Sequence, residues 1–408
     1  MEDLNQKIKN YIETVRAEIE QLALEIHAHP ELNYKEYTAM NLVADVCEKH
    51  GYKVRRGYGG LETSMRADAC GNPGGPTVAF LAEYDALPGC SPDGTSVGHG
   101  CGHNLIAACS TAAFLGLANY IKDLKGNVCL IGTPAEEGGG GKIVLLDNGA
   151  FEGVNYSLMM HPSSGGVKGN LVGRGGRASQ GVVVKYHGKA AHSSKPSNGI
   201  NALSACISTF NHIDLLRPTF DPQDNINGII VNGGAAANVI PAYAEAKFSL
   251  RADTMKRVAE LSDIVAKCAE NACALVGATC EISKGLIDAE RYPNKPMNQA
   301  FKDAMEAQGI EMCWPDPKMQ YGSSDIGNVS IVMPIIHDYL SISDDPAVQS
   351  HNPSYTVAAC KPEALDIAVK GGIGLAQVAA KILADDAFRA EVDEYYNNQI
   401  PAFYKEKK

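Results

Sequence analysis

No basic stripe with interleaved aromatics runs through these 408 residues, and 36 Lys and Arg against 47 Asp and Glu leave a formal charge of −11. Such a balance repels a phosphate backbone, which excludes nucleic acid as an expected partner. Nor does any stretch approach the roughly 20 apolar residues that span a bilayer. The opening residues, MEDLNQKIKN, lack the basic-then-apolar order of a signal peptide. A cytoplasmic protein without a membrane partner is therefore expected. Internal repeats are absent, and AAAN and GGGG are the only short biased patches.

Much of what is present is ordinary for a folded soluble chain: 45% hydrophobic and 20% charged residues. The length exceeds what one core usually organises, so two domains are expected. Twelve cysteines would suit a disulfide framework only in a secreted protein. Here they are scattered and often lie within apolar runs, as buried thiols do. Cys101 differs, standing two residues before His103 in GHGCGHN.

The first half alternates helix-like and strand-like segments, which predicts an α/β domain with a largely parallel sheet flanked by helices. Helices are expected over 4–28, 36–50 and 104–122, with strands at 78–82, VCLIG and YSLMM. From Arg177 the order becomes strand, helix, two strands, helix and strand. This βαββαβ order predicts an inserted ferredoxin-like domain over 177–286. The catalytic domain is then discontinuous, 1–176 and 287–408, ending in a helix through LDIAVKGGIGLAQVAAKIL.

Open α/β sheets bind ligands beyond the carboxyl ends of their strands. Three polar clusters fall there: Glu83 and Asp85 in AFLAEYDALPG, Glu136 and Glu137 in CLIGTPAEEGGGG, and His161 in SLMMHP. Cys101 and His103 add thiolate and imidazole, in a glycine-flanked loop, to a set of donors suited to a metal. Of two adjacent glutamates, one can ligate an ion while the other takes a proton from water. The plainer alternatives are a hydrogen-bonded structural histidine at 161 and a solvated turn at 136–137. A phosphate-binding P-loop is excluded, because Ile143 follows Lys142 where Ser or Thr is required, and Glu136 stands at the first glycine position.

Taken together, HAHPELNYKEYTA, LAEYDALPG, GHGCGHN, GTPAEEGGGGK, MMHP, GKAAHSSKPSNGINAL, GGAAANVIPAYAEAKFSLRA and HNPSY resemble the aminoacylase and glutamate-carboxypeptidase metallohydrolases. The resemblance covers nearly the whole chain. It is strongest to the branch of aminobenzoyl-glutamate hydrolase subunits and related dipeptidases.

That resemblance implies hydrolysis of a small dipeptide, N-acyl amino acid or aminobenzoyl-glutamate-like amide, with two divalent ions, Zn or Mn. The implied ligands are Cys101, His103, Glu137, His161 and His351, with Glu136 as general base. Asp85 is implied to orient a ligand. His192 of the inserted domain would stabilise the oxyanion in a partner subunit, and Asn238 and Arg251 would contact substrate, Arg251 clamping its carboxylate. A homodimer through the inserted lid and dimerisation domain follows.

Two departures stand out: many relatives have histidine at the position of Glu83 and aspartate at that of Asn104. The Gly322-Ser323-Ser324-Asp325 loop looks substrate-facing but has no assigned role. Two rivals remain: Cys101 as a covalent nucleophile with His103 as base, and a non-catalytic, metal-stabilised subunit of a hetero-oligomer.

Overall fold

A computed structural model describes residues 2–317, 319 and 321–405. The chain divides into two compact units, Met1–Gly175 with Arg291–Lys408, and Gly176–Glu290.

In chain order the first segment carries α1 (Glu2–Ala28), α2 (Tyr37–Lys49), β1 (Val54–Arg56), β2 (Met65–Cys70), β3 (Asn72–Ala82), α3 (His103–Ala118), β4 (Lys125–Gly132), α4 (Gly141–Asp147) and β5 (Tyr156–Ser163). The insertion supplies β6 (Ala178–His187), β7 (Ala191–His192), α5 (Ala202–Leu216), β8 (Asn225–Asn232), β9 (Val239–Ile240), β10 (Tyr243–Ala252), α6 (Met255–Val276) and β11 (Thr279–Asp288). The last segment adds α7 (Lys295–Glu306), α8 (Ile326–Val332), β12 (Ile335–Ser341), α9 (Pro353–Ala358), α10 (Pro362–Ala384) and α11 (Asp386–Gln399).

The larger unit is built on a six-stranded sheet of order β1-β2-β4-β3-β5-β12. Its β4, β3, β5 and β12 run parallel, whereas β1 and β2 form an antiparallel edge that the sequence pattern did not reveal. Strand alternation sorts side chains to two cores. Val78, Phe80, Leu130 and Leu158 join helices α1, α3 and α10 on one face, while Ala79, Leu81, Ile131 and Met159 meet Leu145 of α4 and Val329 of α8 on the other. The α/β expectation is borne out.

Helix α3 is buried along its whole length, as a helix apolar on all sides should be. It stops at Ala118, short of the expected 122. The expectation that no segment is long and apolar enough to cross a membrane needs correction. Helix α10, 23 residues, passes by length and composition, but it is mostly buried and packs as a core helix. The apolar run SIVMPII is not one element: α8 ends at Val332 and β12 begins at Ile335, across Pro334, a residue that cannot donate a helical hydrogen bond.

The smaller unit is an antiparallel sheet of order β11-β6-β10-β8 with α5 and α6 packed on it, the ferredoxin-like order. The division falls after Gly175 and after Glu290, so β11 reaches Asp288, past the expected end at 286.

Candidate metal centre

The loops at the carboxyl ends of β3, β4 and β5 meet the start of α3 in the larger unit. His103 opens α3, and Gly102 before it has φ +74°. A Cβ there would lie 2.8 Å from Pro162 and 3.1 Å from Tyr355, so a side chain is excluded by both backbone and space.

Asp85, just beyond β3, ties two of the candidate segments together. One carboxylate oxygen accepts the His103 Nδ1–H at 2.8 Å, and the other accepts the Glu137 backbone N–H at 2.8 Å. With Nδ1 as donor, His103 turns Nε2 towards Glu83 and Glu137, whose oxygens lie 3.6 and 3.8 Å away. In the same way His161 donates from Nδ1 to the Pro162 carbonyl at 2.6 Å, leaving Nε2 at 3.5 Å from Cys101 Sγ. Burial, and then the neighbouring His103, hold His161 well below the usual imidazole range, so it is a neutral donor.

Three overlapping donor sets each lie within 4.8 Å: Cys101, His103 and His161; Cys101, Glu137 and His351; His103, Glu136 and Glu137. His351 arrives from the last segment on a left-handed backbone, φ +61°, with its N–H on the Gly100 carbonyl at 2.7 Å and Nε2 3.5 Å from Glu137. Ala135, directly before the glutamate pair, is also left-handed, φ +60°. Such backbone is uncommon outside glycine and concentrates at functional sites. Glu36 holds this turn, accepting the Ala135 N–H at 2.9 Å.

Among the described residues, His103 Nε2, Glu137 Oε1 and Glu83 Oε2 are buried without a hydrogen-bond partner. Unpartnered buried ligand atoms converging on one point fit divalent cations, which supply the missing partner. Burial, then the Glu137 carboxylate, push the Cys101 thiol far above its usual range. A nearby cation, not an isolated base, is what such a thiol needs in order to ionise.

A fourth set, Glu83, Glu136 and Asp325, already contains a cation. Lys142 Nζ lies 2.5 Å from Glu83 and 2.7 Å from Asp325, and its backbone N–H reaches Asp325 at 2.9 Å. All three side chains are fully buried. Sequence reasoning misses this pairing: the motif around Lys142 raises only a phosphate ligand, and Asp325 receives no role. A lone charge in a glycine-rich and apolar stretch is the available signal.

The departure at Asn104 has a physical reason. Its amide donates to the carbonyls of Ala23 and Ala359 at 3.2 and 3.0 Å, bonds an ionised aspartate cannot make.

In the smaller unit His192 is exposed on β7 and its Nδ1 accepts the Ser194 N–H at 3.1 Å. Asn238 adjoins it, its carbonyl accepting from Ser193 at 3.0 Å. Arg251 lies on the interior strand β10, opposite Ser179 and Asn225.

Comparison with known proteins decides the family. The chain is 35% identical over 383 residues to the human Xaa-Arg dipeptidase, covering 89% of this chain and 85% of that protein. The chain belongs to the M20 peptidase family. It is a metal-dependent amidohydrolase of that family. One of the subunits of the Escherichia coli p-aminobenzoyl-glutamate hydrolase is 30% identical, over 76% of this chain and 66% of that protein. Residues 174–275 match the M20 peptidase dimerisation domain. Among solved structures, a dinuclear metal-binding M20 peptidase from Bacillus subtilis superposes with a TM-score of 0.67 at 21% identity, covering 90% of this chain and 99% of that one. An aminobenzoyl-glutamate utilization protein from Klebsiella pneumoniae gives 0.68 at 20% identity, over 88% and 98%. The M20 fold accounts for both the parallel sheet and the inserted unit.

Proposed function

We propose that this M20 protein hydrolyses the amide bond of a small dipeptide or N-acyl amino acid at a centre of two divalent ions, Zn or Mn, held by Cys101, His103, Glu137, His161 and His351. The observation that carries this is the convergence of five donors from four distant segments, with both buried imidazoles bonded through Nδ1 and turning Nε2 to the shared centre. Divalent ions there supply Lewis acidity towards an amide carbonyl and acidify water.

Glu136 is the proton carrier. Burial, then the Glu83, Glu137 and Asp325 carboxylates, raise its carboxyl well above the usual range, the direction that favours holding a proton between two steps. It takes the proton from water as the water oxygen bonds to the carbonyl carbon. It returns that proton to the leaving amine as the C–N bond breaks. Asp85 positions His103 and the Glu137 backbone without touching substrate. The relatives' names point to Xaa-Arg dipeptides and to aminobenzoyl-glutamate, and substrates of that size suit this assignment.

Cys101 is assigned as a ligand and not as a nucleophile, since its buried thiol is held protonated and four other donors surround it. His192, Asn238 and Arg251 are assigned to the oxyanion and the substrate carboxylate in a homodimer. Support for the dimer comes from β8, an edge strand exposing Ile229, Ile230 and Val231, an edge that a second copy would cover. All twelve cysteines are unpaired, which favours a reducing, cytoplasmic setting.

Chelation followed by add-back tests the assignment. Activity on a dipeptide and N-acyl amino acid panel should vanish with chelator and return with Zn²⁺ or Mn²⁺. Chelator-resistant hydrolysis that thiol alkylation abolishes would transfer the chemistry to Cys101. Light scattering on the purified chain should give twice the monomer mass.

A further inference from the structure

Beside His161 lies a group of donors that the hydrolytic chemistry above does not use. The ring of His337 sits 5.4 Å from that of His161, and the ring of Tyr339 5.2 Å from it. Arg291 Nη1 donates to His337 Nδ1 at 2.5 Å and to the Tyr339 hydroxyl at 3.1 Å. A guanidinium has no acceptor, so Nδ1 of His337 must carry the lone pair and Nε2 the hydrogen. The Tyr339 hydroxyl, already accepting, has its own hydrogen to give. Arg174 lies over the Tyr339 ring at 4.4 Å.

Three donors of this group are orphaned: Arg291 Nε, His337 Nε2 and Arg174 Nε are buried with no hydrogen-bond partner among the described residues. Arg291 is 7% exposed and His337 4%. Among the described residues, neither arginine has a carboxylate within ion-pair distance. Asp338, next along β12, spends one oxygen on the Gly173 N–H at 2.9 Å. Burial raises its carboxyl to about 8, so near neutrality it supplies little countercharge. A guanidinium buried without a counterion is costly, and a cluster with three unpartnered donors against one unpartnered acceptor, Asp338 Oδ2, is complementary to an anion with two oxygens.

We infer that Arg291, Arg174 and His337 form a carboxylate-binding pocket beside the metal centre, and that it selects amide substrates carrying an acidic group over neutral or basic ones. The inference builds on amide hydrolysis at that centre and names its substrate class. The carboxylate belongs either to the acyl part or to the leaving amino acid.

Two measurements on the metal-loaded full chain test it. The first is kcat/KM for Glu-Ala, Gln-Ala, Ala-Glu, Ala-Gln and Ala-Arg. Wild type should favour one acidic dipeptide over its glutamine counterpart by about tenfold or more, the size expected of a charge-assisted bond. Preference for Glu-Ala assigns the pocket to the acyl part, and preference for Ala-Glu to the leaving amino acid. Arg291→Met should reduce the ratio to below about threefold. Arg291→Lys, which keeps the charge but not the two-nitrogen fork, should reduce it too and carries the test if the methionine variant does not fold.

The second measurement is calorimetric binding of glutarate, which needs no turnover. Its affinity should fall about tenfold or more in Arg291→Met and Arg291→Lys, and His337→Gln, which keeps a donor near Nε2, should bind better than His337→Phe. If no dipeptide is cleaved while glutarate binding follows Arg291, the pocket stands and amide hydrolysis falls. A wild-type chain that binds no glutarate, variants that bind it equally well, or a preference for Ala-Arg over both acidic dipeptides would overturn the inference.

Discussion

Asp85 is bonded at once to His103 and to the backbone of Glu137, each at 2.8 Å, so one carboxylate sets the spacing between a candidate imidazole ligand and a candidate carboxylate ligand. Asp85→Asn keeps the size but gives up one of the two acceptor oxygens. Metal affinity should drop about 10- to 100-fold, the usual cost of losing a residue that orients a ligand. Competition with a chromogenic chelator measures this directly, and unchanged affinity would remove Asp85 from the centre.

The adjacent glutamates should separate by function. Glu136→Gln should bind metal as the wild type does while kcat falls about 10²- to 10⁴-fold. Glu137→Ala should lose metal first and activity as a consequence. Metal content by elemental analysis, set beside kcat, distinguishes the two, and a fully active Glu136→Gln would end its role as proton carrier.

Lys142 is the charge that keeps Glu83 and Asp325 together in the interior. Lys142→Met leaves two buried carboxylates without their cation and should cost about 3–5 kcal/mol in denaturant unfolding. Adding Asp325→Asn should recover part of that loss, since the two residues form one unit. Strictly additive effects would mean that the pair is not coupled.

Glu36 gives a pH signature. Burial, ahead of all other influences, raises its carboxyl to about 7, against a usual value near 4.5. Below the usual value both folded and unfolded chains hold the proton and the group has no effect. As pH rises towards 7 the unfolded chain releases it first, so stability declines, and above 7 the loss is constant. Glu36→Gln still accepts from Ala135 and should be more stable than wild type at pH 8, on the order of 2–3 kcal/mol. The gap should narrow towards pH 5 in thermal melts.

Much of this architecture was legible from local pattern. The alternation around β3, β4 and β5, and the βαββαβ order of the insertion, follow from side-chain periodicity and turn placement. The strand-end positions of Glu83, Asp85 and Glu136 follow from the same pattern, whereas His161, expected just after the third strand, lies within β5 and pairs with Tyr339, because the strand continues through Pro162 to Ser163. What stayed hidden depends on partners far apart in sequence. Residues 335–341, IIHDYLS, carry His337 and Asp338 in a buried parallel strand, where period-2 reading gives no warning. Arg291 looks like a surface charge until β12 is set opposite it. Lys142 and Asp325 are 183 positions apart, and neither has meaning alone. The antiparallel edge β1–β2 was missed because such short strands carry too little pattern to register.

His351 lies beyond the inserted unit, yet its backbone is fastened to Gly100 in the loop that carries Cys101 and His103. A ribosome must therefore have made most of the polypeptide before the full donor set exists. With His351 a ligand as proposed, ion capture would be a late checkpoint in biogenesis, and a nascent chain lacking that last segment would be inert even in a metal-replete cell.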